Sequence, residues 1–129
     1  MGYCSDVALV LKAEIVESFD QIIGSYYAEE QELKYFWEKC KQHRIAENGD
    51  ALYYWRYIKW HPQCQEVDLV ERWMNQLDNE NLSDQYLFVR MGEEWEDIEY
   101  RGNFEDENGE NPFDIEVVRE ITFYGKRGD

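Results

Sequence analysis

The sequence predicts a single α+β domain spanning residues 1–129, with an antiparallel or mixed sheet of four to five strands and helices packed on one face. Its 129 residues suit one domain with a buried core. Hydrophobic residues make up 43% of the chain and aromatic residues 16%, which is too rich for a disordered acidic tail. Strand and helix patterns follow the order strand, helix, hairpin, helix, strand, strand, which suggests an α+β sandwich such as the ferredoxin-like one.

The first part of the chain predicts a central strand and a long helical region. Val7 to Leu11 is short and apolar on both faces, as in a buried strand. Beyond Glu14 two apolar stripes have helical spacing, namely Ile15, Phe19, Ile22, Ile23 and Tyr26, then Leu33, Phe36, Trp37 and Cys40. A single helix would have about 28 residues, so two helices or one kinked helix are predicted, with a break between Gly24 and Glu29.

A hairpin and a second helix follow. The Asn48-Gly49 turn signal predicts a short strand near His43 to Ala46 that pairs with the strand Leu52 to Lys59. Apolar spacing then predicts a helix from about Gln65 to Leu77. Its buried stripe would be Val67, Val70, Trp73, Met74 and Leu77.

The last part of the chain predicts two strands around an acidic region. Tyr86 to Met91 is dense in strand formers. Glu93 to Tyr100 is interpreted as one or two helical turns, and Gly102 to Pro112 as a loop. Ile115 to Tyr124 is predicted to close the sheet, with alternate apolar residues on one face.

Negative charge is concentrated in one segment. Glu93 to Glu120 contains 12 acidic residues and two arginines, a net charge of −10 out of −16 for the chain. Such a field opposes the compact state through self-repulsion, so its presence indicates use against a basic surface. We predict a partner-binding surface made of Glu93, Glu94, Trp95, Glu96, Asp97, Glu99, Tyr100, Glu105, Asp106, Glu107 and Glu110.

Two alternatives remain open for this segment. DNA presents about one negative charge per ~1.7 Å of its axis, so an array of carboxylates on a scaffold can imitate it. A solvated loop that only improves solubility would have the same composition. Interleaved Trp95, Ile98, Tyr100 and Phe104 favour recognition, because apolar anchors inside a charged rim are typical of interfaces. Ile98 and Phe104 would equally serve to pin the loop to the core.

The composition also excludes several ligand classes. Lys and Arg number 13 against 29 acidic residues, so neither nucleic acid nor an anionic membrane is expected as a direct ligand. The longest apolar run near the start, Val7 to Leu11, is too short for a signal peptide core or a membrane span. Three cysteines without a CxxC pair suit a reducing cytoplasm.

A zinc site is a low-ranked alternative. Cys40 and His43, with His61 and Cys64, have the two-residue spacing and the two-Cys, two-His composition of a closed structural site. Their order is unlike common zinc fingers, and Cys40 also fits the helical stripe, so the preferred expectation is no metal and no cofactor. Nucleophilic catalysis by Cys64 lacks an orienting third group, and no enzyme activity is predicted.

Two further patterns have ordinary explanations. Asp106 to Glu110 is similar to the start of a calcium loop, but Asn111 and Val117 stand where such a loop needs glycine and glutamate. Tyr53, Trp55 and Tyr57 alternate onto one strand face, as in base-stacking RNA-binding domains, but the surrounding charge has the wrong sign for phosphate. Core packing or a protein interface, including a homo-oligomeric one, is the better interpretation.

Three short blocks resemble small acidic proteins encoded by bacteriophages and prophages. These are Met1-Gly-Tyr-Cys-Ser-Asp-Val7, Tyr57-Ile-Lys-Trp60, and the stretch from Tyr86 to Glu94 with Asp97-Ile-Glu99. Cys4 departs from the arginine usual in that opening. The resemblance implies a phage accessory protein in the bacterial cytoplasm, a class that includes anti-restriction and anti-CRISPR inhibitors. The expected function is non-enzymatic inhibition of a basic, nucleic-acid-binding host defence protein, by a monomer or dimer.

Overall fold

The computed structural model describes residues 3–27, 40–105, 109 and 113–118. Over these residues it confirms the α+β class, with five strands and two α-helices. In chain order they are β1 (Ser5–Leu11), α1 (Ala13–Tyr27), β2 (Cys40–Ile45), β3 (Ala51–Ile58), α2 (Gln65–Asn79), β4 (Tyr86–Met91) and β5 (Ile98–Gly102).

The strands form one open sheet in the order β2-β3-β1-β4-β5, and all neighbours are antiparallel. The predicted central position of β1 is confirmed. α1 and α2 each connect strands that are separated in the sheet by one other strand. The order of β1 to β4 is therefore compatible with the ferredoxin-like arrangement, to which β5 adds one edge strand.

Both helices pack on one face of the sheet, as predicted. Alternate residues of β1, including Leu9, point toward them and are fully buried. The ring of Phe19 on α1 lies 5.0 Å from the ring of Tyr53 on β3 and 5.0 Å from that of Trp73 on α2. The predicted stripe of α2 is confirmed, since all five of its residues are buried: Val67, Val70, Trp73, Met74 and Leu77.

The opposite face of the sheet, called here the back face, is also partly covered. Ala8 and Val10 of β1 pack there with Phe104, and Phe113 and Ile115 contact the same cluster. β1 is thus buried on both faces, which explains why its sequence is apolar at every position from 7 to 11.

The predicted Asn-Gly turn joins β2 to β3, and Asp50, the residue that follows it, caps the start of α1. Gly49 adopts φ +97°, a conformation that favours glycine. The buried Asp50 accepts hydrogen bonds at Oδ1 from the backbone N–H of Ala13 and at Oδ2 from Asn48 Nδ2. A carboxylate at the first turn of α1 satisfies an otherwise unpaired N–H and complements the helix dipole.

Two expectations for individual residues are corrected. Cys40 does not end a helix but begins β2 opposite Trp55, because strand pairing overrides its local helical spacing; the rest of that stripe, residues 33–37, lies outside the described residues. Tyr57 leaves the face shared by Tyr53 and Trp55, because a register irregularity between β1 and β3 and its φ of +59° turn it outward.

The acidic segment and the closing strand also differ from prediction. Residues 93–97 form a turn, and residues 98–102 form strand β5 instead of continuing as helical turns. Antiparallel pairing with β4 explains this, because it satisfies the backbone of both strands. Residues 115–118 cross the back face without strand structure, and residues 119–124 lie outside the described residues.

Candidate interaction surface

Residues 93–96, called here the acidic turn, connect β4 to β5 at the end of the sheet where β1 begins. All four side chains, Glu93, Glu94, Trp95 and Glu96, are exposed, and the exposed fraction of Trp95 is 64%. Three exposed glutamates thus flank an exposed tryptophan along the chain. An exposed aromatic side chain among charged residues is a common anchor of protein interfaces.

Two of the predicted contact residues form the base of the turn instead of its surface. Arg90 of β4 binds Asp97 with two hydrogen bonds, of 2.6 Å to Oδ1 and 3.1 Å to Oδ2. Its Nε donates to Glu99 Oε1 at 3.0 Å, and Nη1 donates to Ser5 Oγ at 3.1 Å. Hydrogen bonds from Arg90 to Asp97, then to Glu99, outweigh burial and raise the pKa of the guanidinium. Asp97 and Glu99 are thus both paired with one guanidinium, which offsets one of their two negative charges.

Tyr3 joins this base to the acidic turn. Its hydroxyl donates to Asp97 Oδ2 at 2.6 Å and accepts from the backbone N–H of Glu94 at 2.9 Å. Beside it, the backbone N–H of Cys4 donates to Glu93 Oε2 at 2.5 Å. The residues before β1 and the turn between β4 and β5 are therefore tied together by polar contacts.

Gly92 lets the turn close tightly. Its backbone N–H donates to the carbonyl of Asp97 at 2.7 Å, which closes the loop. A Cβ atom at this position would clash with the Asp97 carboxylate and the Tyr3 hydroxyl. The turn thus has a defined shape, and Arg90, Tyr3 and Gly92 are the residues that set it.

β5 is held to helix α2 by a second arginine. Arg101 donates to Glu71 Oε1 at 2.7 Å, to Asn75 Oδ1 at 2.8 Å and to Asp78 Oδ2 at 3.0 Å. Burial lowers the pKa of Arg101, but the carboxylates of Asp78 and Glu71 raise it by more, so the pKa of Arg101 lies above its ordinary value. Glu71 also accepts a hydrogen bond from the indole of Trp60 at 2.9 Å. Although β5 is an edge strand, its position is fixed by these contacts.

The remaining residues of the acidic segment that the prediction considered fall into four groups. Tyr100 is 61% exposed on the back face of β5, opposite Val89 in the strand register, and extends the exposed surface. Ile98 is half-buried and Phe104 is buried, so both pin the segment to the sheet. Glu105 is exposed at the opposite end of β5 from the acidic turn. Asp106, Glu107 and Glu110 lie outside the described residues.

The structure does not assemble the alternative zinc set. Among the described residues, no group of three or more His, Cys, Asp and Glu side chains is placed to hold a metal ion. His43 stacks on Tyr53, with ring centroids 4.4 Å apart, and His61 Nδ1 accepts the backbone N–H of Gln63 at 3.1 Å. Cys64 is the N-cap of α2, and burial, then Glu66, raises the pKa of its thiol. A raised thiol pKa disfavours the thiolate needed for metal binding or catalysis.

Sequence reasoning missed Arg90 and Tyr3. The alternation of β4 places Arg90 on the same face as the apolar Phe88, and Asp97 and Glu99 follow seven and nine positions later. An arginine on an apolar strand face with acidic residues nearby could have predicted the internal ion pair. Nothing in the local sequence relates Tyr3 to Asp97, because their contact depends on β1 lying beside β4.

No helix in the part of the chain that the structure describes combines the length and apolar character needed to cross a membrane. No protein-family model, curated protein or solved structure matches the chain. The geometry of the acidic turn is therefore the basis for a functional proposal.

Proposed function

We propose that the protein is a non-enzymatic inhibitor that binds a basic, nucleic-acid-binding surface of a host defence protein through the acidic turn and the neighbouring face of β5. The observation that supports it is an exposed tryptophan, Trp95, among three exposed carboxylates on a turn fixed by Arg90 and Tyr3. The similarity of the sequence to small acidic phage proteins adds the context of a phage-encoded inhibitor in a bacterial cytoplasm, of the anti-CRISPR or anti-restriction kind.

The division of charge within the segment favours recognition over solubility. Asp97 and Glu99 are paired with Arg90 at the base, whereas Glu93, Glu94 and Glu96 are exposed, although Glu93 also accepts the backbone N–H of Cys4. A fixed turn loses less conformational entropy on binding than a flexible acidic loop does. The exposed carboxylates would steer a basic partner, and Trp95 would supply the apolar anchor at the centre of the contact.

A nucleic-acid-binding groove is the basic surface that such a turn fits. These grooves concentrate Lys and Arg along the path of the phosphates, and their binding is strongly salt-dependent. Carboxylates at the acidic turn would occupy the positions of phosphates and exclude the nucleic acid by competition. No bond in the partner needs to be made or broken, which is why the proposal involves no catalytic residue.

The decisive experiment reverses the charge of the turn. We expect the triple variant Glu93→Lys, Glu94→Lys and Glu96→Lys to lose binding and inhibition. The matched control reverses three exposed acids elsewhere, Glu17, Glu80 and Asp84, and has the same net charge. Partners are captured from a bacterial lysate with immobilised wild-type protein at low and high salt, and the captured protein is then purified.

Displacement of labelled DNA or RNA from that purified partner is then measured by fluorescence anisotropy. Wild type and control should displace nucleic acid with similar potency, and the turn variant should be at least about tenfold weaker. Equal potency of all three proteins would show that the charge of the turn is incidental to inhibition. Loss of potency in the control as well would point to a non-specific effect of net charge.

A further inference from the structure

A groove of about 540 Å³ lies on the back face, between the sheet and residues 114–118. Its floor is formed by side chains from three adjacent strands, namely Ala8 from β1, Tyr54 from β3, and Val89 and Met91 from β4. Ile115, Val117 and Val118 add apolar side chains on the opposite wall. Only Gly92 separates Met91 from the acidic turn, so the groove and the acidic turn are adjacent. One partner is therefore able to contact both.

The groove has an excess of negative charge over this apolar floor. Asp6, Asp114 and Glu116 line it, against the single cation Arg56. None of these four side chains takes part in an ion pair among the described residues. Asp6 is fixed in place, because its Oδ1 accepts the backbone N–H of Tyr57 at 2.8 Å.

The phenol of Tyr54 lies within the influence of both Asp6 and Arg56. Burial raises the pKa of its phenol, and the Asp6 carboxylate raises it further, while Arg56 opposes the shift. Burial is the largest cause of this shift, and of the two nearby charges the carboxylate affects the phenol more than the guanidinium does. A largely apolar groove with three carboxylates and one guanidinium on its walls is complementary to a side chain that combines an aliphatic stem with a cationic end.

We propose that the groove binds an arginine side chain from an extended segment of the partner. The methylene stem would lie along Val89 and Met91, and the guanidinium would reach Asp6 and Glu116. Arginine fits better than lysine because its planar fork pairs with carboxylates through several hydrogen bonds at once. This inference rests on the proposed function in one respect, since it takes the arginine to belong to the same basic partner that binds the acidic turn.

Binding of a small peptide tests the groove without the partner. The probe is a capped Gly-Gly-Arg-Gly-Gly peptide, and its control contains citrulline, a neutral isostere, in place of arginine. Methyl NMR spectra are recorded at about 0.15 M salt, where the Debye length is about 8 Å and distant charges are screened. We expect the arginine peptide to shift the methyl signals of Ala8, Val89 and Met91, and the citrulline peptide to shift them much less.

Substitution of the groove wall completes the test. Glu116→Gln removes one charge from an exposed position and should weaken the arginine peptide about tenfold. The matched control Glu80→Gln, on the exposed end of α2, should leave its affinity unchanged. Methyl shifts that are absent from the groove, equal for both peptides, or unaffected by Glu116→Gln would overturn the proposal.

The reversed acidic turn distinguishes this inference from the proposed function. The variant with lysine at positions 93, 94 and 96 should still bind the arginine peptide in the groove, even though it no longer inhibits the partner. If the peptide fails to bind wild type while turn reversal abolishes inhibition, only the groove assignment is wrong. If the peptide binds but turn reversal leaves inhibition intact, the function assigned to the turn is wrong and the groove remains.

Discussion

Arg90 is the residue on which the shape of the acidic turn depends most. Its guanidinium joins Asp97, Glu99 and Ser5, and only 16% of its side chain is exposed. Removing one partner from a partly buried ion pair leaves the other charges without compensation, which costs more than the pair itself contributes. The arginine therefore keeps two carboxylates close together where they would otherwise repel.

We expect Arg90→Ala to lower the free energy of unfolding by about 2 kcal/mol, because Asp97 and Glu99 would be left adjacent and unpaired. Arg72→Ala is the matched control. Arg72 forms an exposed pair with Asp68, at 3.0 Å and with 69% of its side chain exposed, so its loss should cost no more than about 0.5 kcal/mol. Urea unfolding followed by tryptophan fluorescence measures both, and similar losses in the two variants would refute the role given to Arg90.

Tyr86 makes the fold sensitive to alkali. Its hydroxyl donates to Asp78 Oδ1 at 2.8 Å, and burial, then this hydrogen bond, raises its pKa to about 12. An unfolded tyrosine ionises near pH 10. The folded state thus holds the proton more tightly, so this contribution to stability is fully present below about pH 10 and is lost as pH rises through about 12.

We expect Tyr86→Phe to reduce the loss of stability between about pH 10 and about pH 12, because phenylalanine has no proton to release. Tyr57→Phe, at a position that is 62% exposed, should leave the alkaline profile unchanged. Thermal unfolding monitored by circular dichroism over this pH range compares the variants with wild type. A steeper loss in Tyr86→Phe than in wild type would contradict the assignment.

At the scale of elements, the hydrogen bonds that hold the turn between β4 and β5 depend on a single glycine. Gly92 is buried, and a side chain there would separate Asp97 from Tyr3. Both contacts of the Tyr3 hydroxyl would then be lost, while the pairing of β4 with β5 would persist. The glycine therefore determines the conformation of the turn, whereas the hairpin of β4 and β5 forms without it.

We expect Gly92→Ala to weaken partner binding by about tenfold and to lower the free energy of unfolding by about 1 to 2 kcal/mol. Tyr3→Phe provides an independent test of the same contact, since it removes the hydroxyl without creating a clash. Both variants should increase amide hydrogen exchange in residues 93–97 and leave that of β1 unchanged. Unaltered exchange in the turn would show that Tyr3 and Gly92 do not set its shape.

Elements with many long-range apolar contacts were predictable from the sequence. The bounds of β4 agree at both ends, and α2 begins at Gln65 as its apolar period indicates. β5 was not predictable, because Ile98-Glu-Tyr-Arg-Gly102 is a short strand with charged residues on the helix-facing side. Its charged residues are satisfied by Arg90 and by α2, which are contacts that only the tertiary structure brings together.

The same limit applies to the candidate site. The local concentration of acidic residues is visible in the sequence, and Trp95 and Tyr100 were predicted partner contacts because they lie within it. Both side chains are exposed in the structure, and their contact with a partner stays a prediction. The internal pairing of Asp97 and Glu99 with Arg90 did not follow, because it depends on which strand lies beside β5. Counting charges along a segment overstates the number that remains available to a partner.

At the scale of the whole molecule, the net charge of −16 has opposite consequences for folding and for binding. Self-repulsion opposes the compact state, and salt relieves it, because the Debye length falls from about 10 Å at 0.1 M to about 3 Å at 1 M. The same screening weakens attraction to a basic partner. Added NaCl should therefore raise the unfolding midpoint of the free protein while it lowers the affinity for the partner.

Two variants of equal net charge separate these consequences. Reversing Glu93, Glu94 and Glu96 to lysine changes the net charge from −16 to −10, as does reversing Glu17, Glu80 and Asp84. Both should gain stability at low salt and show a smaller rise in unfolding midpoint with NaCl, because self-repulsion depends mainly on total charge. Only reversal of the turn should abolish the salt-dependent affinity for the partner. Thermal unfolding and binding measured over the same salt series would refute this if the two variants lost affinity equally.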